Sequence, residues 1–139
     1  MKFTNLALCC ALATGAVHAE VVVIAHPDTP VKQIDSGQAA QIFLKQAQTW
    51  PDGRPIAPVD IKDGSPLRSE FYTRIVGRNP GQMRAYWARQ MFTGMGVPPK
   101  EVADAADVVK LVGRTPGTVG YVGANSVDPS VKVILDPAK

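Results

Sequence analysis

No cysteine lies beyond position 10, and the 139-residue chain holds only two histidines, His18 and His26. A disulfide framework or a thiolate metal site is therefore excluded for everything after Cys10. A His-rich zinc site needs more than one imidazole, and a Ser-His-Asp triad would have to be built around His26 alone, so hydrolases of these kinds fit poorly. Charge is sparse as well, with 19% of residues charged and a mild net charge of +3. Nucleic-acid binders concentrate basic residues along one face, and this balance does not by itself suggest such a partner. No apolar run reaches the ~20 residues that a membrane-spanning helix needs. What the chain does have is 45% hydrophobic sequence with twelve glycines and twelve prolines. That composition excludes intrinsic disorder, a coiled coil and a polytopic membrane protein. It points to one domain of short elements joined by many tight turns.

The first nineteen residues read as a secretory signal peptide. Lys2 supplies the positive start, Leu6 to Val17 the apolar stretch, and Val17-His18-Ala19 the small residues of a cleavage site. Both cysteines lie here, but Cys9 follows Leu8 and Cys10 follows Cys9, which is not the setting of a lipid-modified cysteine. The domain is then residues 20–139, exported to the periplasm.

Along that domain, Val21-Val22-Val23-Ile24-Ala25 suits a strand buried on both faces. Asp35 with Gln38 forms a capping-box pattern opening a helix whose Ala39, Ile42 and Phe43 share a face. A turn-rich stretch, Trp50-Pro51-Asp52-Gly53, leads to a strand at Ile56–Ile61. Three helices are expected next. The first starts at Ser65-Pro66 with the stripe Leu67, Phe71, Ile75 and stops at Gly77; the second starts at Asn79-Pro80 with the stripe Met83, Trp87, Met91. The third spans about Glu101 to Val112, with Val102, Ala105, Val109 and Val112 inward. Strands at Thr118–Val122 and Val131–Leu135 close the chain. The order β-α-β-α-α-α-β-β predicts an α/β domain with a mostly parallel sheet flanked by helices. Tyr86-Trp87 and Met91-Phe92 are expected in the core, an exposed docking patch being the alternative, and His26 is a loop residue that could border a crevice at the strand ends.

The stretch Lys62-Asp63-Gly64-Ser65-Pro66-Leu67-Arg68 carries the candidate chemistry. A strand runs through a glycine turn straight onto a helix start, where backbone N–H groups lack intrahelical partners and the dipole favours anions. Pro66 removes one donor, leaving the N–H groups of Ser65, Leu67 and Arg68. The Ser65 hydroxyl and the Arg68 guanidinium add further donors for an oxyanion. The competing reading is an ordinary N-cap serine beside a solvated arginine. Arg68, Arg74, Arg78, Arg84 and Arg89 also crowd one segment. They suit either solvated helix faces or an anionic partner such as lipid headgroups or an acidic protein.

These residues, with Leu44-Lys45, Thr49-Trp50-Pro51-Asp52-Gly53 and Thr115-Pro116-Gly117-Thr118-Val119-Gly120-Tyr121-Val122, resemble the periplasmic phosphate-binding proteins of ABC transporters. Gly94-Met95-Gly96-Val97-Pro98-Pro99-Lys100 resembles a short, single-lobe subgroup of them. The resemblance covers nearly all of residues 20–135. It implies one lobe of a type-2 periplasmic binding protein, a non-enzymatic phosphate or oxyanion binder needing no cofactor. It also implies a ligand set of Lys62, Asp63, Gly64, Ser65, Leu67 and Arg68. Asp63, Gly64, Ser65 and Arg68 match the family loop; Pro66 and Leu67 stand where the family has Gly and Thr, and Ile61, next to Lys62, where it has Arg.

Partners implied are an ABC transporter permease or a sensor ectodomain. A lone lobe leaves bare the surface its other half would cover, and a homodimer is one way to cover it. The alternative is an interaction protein that has lost ligand binding and only docks to such a partner. The leader itself is directly testable. Intact-mass measurement of protein recovered from the periplasm should show a chain starting at Glu20, and a full-length cytoplasmic chain would contradict export.

Overall fold

Five consecutive buried residues, Val21–Ala25, form strand β1. The computed structural model describes residues 20–139; the signal peptide expected over 1–19 lies outside the described residues. Helix α1 (Ser36–Phe43) is capped by Asp35, whose carboxylate accepts from the Gln38 backbone while the Gln38 side chain accepts from the Asp35 N–H. Strand β2 (Ala57–Ile61) leads into α2 (Pro66–Phe71), which widens into one π-helical turn, Tyr72–Val76, before Gly77. Helix α3 (Pro80–Phe92) has its own capping box from Asn79 and Gln82. Strand β3 (Lys100–Val102), α4 (Ala105–Arg114), β4 (Thr118–Gly123), a 3-10 turn (Ala124–Ser126) and β5 (Lys132–Leu135) complete the domain. Among the described residues no helix is long and apolar enough to cross a membrane.

The α/β class with one five-stranded sheet is as expected, in the order β3-β2-β4-β1-β5. Its direction pattern corrects the expectation of a mostly parallel sheet. β2 is parallel to β3 and β4, while β1 is antiparallel to both β4 and β5. The cause lies in the first connection. An eight-residue helix rises only ~12 Å, and the following loop folds back on itself through a Thr49–Pro55 bridge. The chain therefore re-enters the sheet at the end where β1 left it, with His26 N–H bonded to the Thr118 carbonyl. Neither local periodicity nor capping carries that information.

The third expected helix is also shorter. Residues 100–102 pair with β2 in the register Val59↔Lys100 to Ile61↔Val102, and α4 starts only after Asp104, which accepts from the Asp107 N–H. Val102 is thus a strand residue, while Val108, Val109 and Val112 are the buried residues of α4.

Helices cover both sheet faces, because neighbouring strand residues point opposite ways. At Tyr121 of β4 the ring stacks on Phe71 of α2 at 4.0 Å and meets Phe43 of α1 edge-on at 5.7 Å. At Gly120 the other face meets α4 so closely that an added Cβ would lie 2.5 Å from Val108 Cγ1. Gly117, at φ +87°, serves a different need: its carbonyl accepts from the buried Trp50 indole N–H at 3.3 Å. Gly120→Ala should therefore cost about 1–3 kcal/mol by overpacking α4 against β4. Urea unfolding measures this, and an unchanged midpoint would contradict the close approach.

Candidate functional site

Strands β2, β3 and β4 run parallel, so their carboxyl ends emerge side by side. Beyond Ile61 the chain turns at once, with Lys62 N–H bonded to the Val102 carbonyl and Ser65 N–H to the Lys62 carbonyl. Gly64 takes φ +90°, a left-handed conformation that makes the turn tight enough to launch α2. Ser65 caps that helix, its hydroxyl accepting from Arg68 N–H at 3.4 Å, and Pro66 occupies the first helical position. Across from it, Ala103 and Asp104 lead into the first turn of α4.

Between these two turns lies an open crevice of about 490 Å³, lined by residues 61–67 and 103–105. A second hollow of about 260 Å³ adjoins it through Pro66, Leu67 and Ala105 and reaches Asn125 and Ser126 after β4. Five of the six candidate residues, Lys62, Asp63, Gly64, Ser65 and Leu67, line the crevice. Among the described residues Lys62 is its only cationic side chain, while Asp63 and Asp104 bring carboxylates. His26 does not approach it. Ala25 pairs with Val119, at the opposite end of the sheet from Ile61 and Gly123.

Arg68, the sixth candidate, is turned the other way. Its Nη1 donates to the Ile61 carbonyl at 2.8 Å and to Glu101 Oε1 at 2.9 Å, and lies 3.7 Å from Asp60 Oδ2. One nitrogen of the expected guanidinium fork, Nη1, is thus committed behind the loop, and the reason is Asp60. This carboxylate is buried in the core, where Tyr72 donates to Oδ2 at 2.6 Å, Tyr121 donates to Oδ1, and Ile61 N–H approaches Oδ1 at 3.0 Å. A buried charge needs such partners. Burial raises the Asp60 carboxyl above its ordinary value, against the opposing pull of the Tyr121 and Tyr72 hydroxyls and the Arg68 charge. Both tyrosines are raised by burial and by Asp60, so they stay protonated donors. For Arg68, burial acts to lower its pKa but the Asp60 charge and the Glu101 bond outweigh it. A single aspartate in an apolar strand has no local pattern that marks Asp60 in the sequence. Its signal was the chemistry of an acid inside Pro58-Val59-Asp60-Ile61.

This network has a pH signature. Because the folded pKa of Asp60 lies above its value of 3.8 in an unperturbed carboxyl, the native state holds that proton more tightly. The resulting stabilisation is complete below 3.8 and fades as pH rises through the folded pKa. Asp60→Asn has no proton to lose. The stability of the native sequence relative to Asp60→Asn should therefore fall as pH is raised from about 4 toward 7. Urea unfolding of both proteins across that range checks the sign, and a constant or growing advantage for Asp60 would refute it.

No family model and no curated protein matches the chain. Solved structures do. An ABC-type phosphate transport receptor from Vibrio cholerae superposes with a TM-score of 0.66 at 21% identity, covering 84% of this chain and 45% of that one. A protein described as a phosphate ABC transporter substrate-binding protein from Clostridium perfringens, solved with bound phosphate, gives 0.67 at 22% identity, covering 84% and 44%. PstS from Borrelia burgdorferi gives 0.64 at 15% identity, covering 84% and 46%. The chain spans less than half the length of these structures. At such identities the common property is the fold, and the fold of residues 20–139 is that of about one half of these phosphate-receptor chains.

Proposed function

We propose that the chain is an exported, non-enzymatic binding module that takes phosphate or a similar oxyanion in connection with ABC transport. The observation that carries this reading is the crevice at the carboxyl ends of β2, β3 and β4, where Lys62 and two helix starts converge. The fold shared with phosphate receptors supports it. Open α/β sheets bind ligands at this edge. First-turn N–H groups such as that of Leu67 have no carbonyl four residues back within the helix and point toward a bound anion. Lys62 supplies the positive charge, Ser65 a hydroxyl, and Gly64 lets the backbone approach without a side chain. Asp63 repels a fully deprotonated anion but accepts a hydrogen bond from a protonated one, which favours hydrogen phosphate over sulfate. Arg68 is in this account a positioning residue that holds the strand end and helix start from behind. A binding role fits better than a catalytic one, since the lone histidine of the domain sits at the far end of the sheet.

A second reading has its own support. Asp63 and Asp104 weaken the crevice for anions, and an open face of this kind also suits docking of a permease or sensor ectodomain. Residues 1–19 would direct either module to the periplasm.

One titration separates the two. With so few donors in so open a crevice, a dissociation constant of ~1 mM is expected. Phosphate at ~10 mM then adds roughly 1.4 kcal/mol of stability, raising the melting temperature by about 4–7 °C. Chloride at matched ionic strength should not do so, and sulfate should do less. Lys62→Gln should remove most of the shift while leaving the phosphate-free melting temperature unchanged, whereas Lys110→Gln on exposed α4 should keep it. Arg68→Met should instead lower stability by about 3 kcal/mol or more with or without phosphate, because it strands a buried carboxylate. Equal behaviour of the two lysine variants, or no phosphate-specific shift, would reject the anion site in favour of docking alone.

A further inference from the structure

Between Glu70 and Glu101 the chain has no acidic residue, yet it carries Arg74, Arg78, Arg84, Arg89 and Lys100. The same segment holds the most exposed large apolar side chains of the described domain: Phe92 at 93%, Met95 at 73%, Val97 at 62% and Met91 at 53%. Sequence periodicity placed Met91 and Phe92 in the core. Helix α3 instead docks through Met83 and Trp87, and its last turn runs past that anchorage. The tip is nonetheless built rather than loose. Thr93 Oγ1 donates to the Arg89 carbonyl at 2.8 Å, Met95 N–H to the Gln90 carbonyl at 2.8 Å, and Gly94 N–H to the Met91 carbonyl at 3.2 Å. These bonds fix a projecting turn that holds its apolar side chains away from the fold.

Cations flank it. Arg89 lies one helical turn before Phe92 on the same face. The groove running back along that face is lined by Arg78, Gln82, Ala85, Tyr86 and Arg89, with the Arg78 guanidinium 5.0 Å from the Tyr86 ring centroid. Arg74 and Arg84 have carboxylates at 3.5 Å and 4.0 Å, at exposed positions where such pairs are weak.

We propose that residues 78–100 present a peripheral docking surface for a bilayer of anionic phospholipid, with Phe92, Met95 and Val97 entering the interface and Arg78, Arg89 and Lys100 meeting the headgroups. Two arguments select this occupant. The apolar residues stand on a convex tip, which a bilayer accepts without a preformed pocket, and they are ringed by one sign of charge, which anionic headgroups complement. A second copy is disfavoured by symmetry, because an isologous contact through this tip would set the same cations against one another. The proposal does not depend on the crevice binding phosphate.

Co-sedimentation with vesicles tests it, using matched full chains whose N-terminus is defined by intact mass, so that residues 1–19 contribute equally to every arm. Binding to vesicles of equal phosphatidylglycerol and phosphatidylcholine should exceed binding to pure phosphatidylcholine by tenfold or more, and should weaken at high salt. Arg89→Gln should reduce it about fivefold, and Arg78→Gln with Arg89→Gln further. Phe92→Ser with Met95→Ser should reduce it at least tenfold with an unchanged melting temperature, because these side chains are exposed. Equal binding to both vesicle types, no binding to either, or full binding by the Phe92→Ser, Met95→Ser variant would overturn the proposal. A concentration-dependent dimer in sedimentation that the same variant abolishes would overturn it in favour of a second copy.

Discussion

The structure is organised around one buried carboxylate. Taking Asp60 out of water costs several kcal/mol even after relaxation. Hydrogen bonds to a charged group contribute about 1.5–3 kcal/mol each, and Tyr72, Tyr121 and Ile61 N–H provide such bonds, with Arg68 at 3.7 Å supplying the countercharge. The contributions oppose one another, and the raised carboxyl shows that burial outweighs the tyrosine donors and the countercharge. The network's main effect is therefore arrangement rather than net stability. Its members come from β2, the π-helical turn, β4 and α2, with β3 joined through Glu101, and all of them must be in register before the charge is matched. The π-helical turn belongs to the same constraint, since it begins at Tyr72.

That constraint divides the loop after β2 into two sides. Arg68 faces back toward Asp60 and Glu101, while residues 62–67 face forward into the crevice. A guanidinium whose Nη1 is shared among two carboxylates and a carbonyl is held on the far side of the loop from the crevice. The forward side is left with one flexible, exposed lysine and a few backbone donors. Placing the strongest cation behind the loop makes the loop's shape reproducible and the crevice's field weak.

What the sequence disclosed was local. Capping residues at Asp35, Ser65 and Asn79, the left-handed stop at Gly77 and the all-buried β1 depend on neighbours within four residues, and each stands where expected. What it concealed was set by distant pairing. Lys100-Glu101-Val102 becomes a strand only because β2 has a free side, and β1 is reversed only because the chain doubles back at Trp50. The quoted motifs also divide by role. Trp50-Pro51-Asp52-Gly53 and Thr115-Pro116-Gly117 meet through the Trp50–Gly117 bond at the sheet end remote from the crevice, so their spacing reports packing. Lys62 to Leu67 instead line the crevice at the other end. A motif match therefore located the scaffold with more force than it located the chemistry, and the inward turn of Arg68 was readable only after Asp60 had been seen to need it.

Helix α3 connects the two exposed regions. Its start, at Pro80 and Met83, lines a small cavity together with Asp63 and Arg68 of the crevice loop, and its end carries the apolar tip. Thirteen helical residues separate these points by about 18 Å. Charge is distributed unevenly along that distance. Asp63, Glu70, Glu101 and Asp104 cluster at the crevice end, whereas residues 71–100 carry only positive charge. At the crevice end those carboxylates are set against Lys62, Arg68, Arg74 and Arg84. The tip end has no carboxylate in its segment, so an anionic surface attracts the tip more strongly than the crevice rim. Orientation at such a surface follows from this asymmetry: the tip faces inward and the crevice stands clear in solvent, open to a small ligand or to whatever covers that half of the fold.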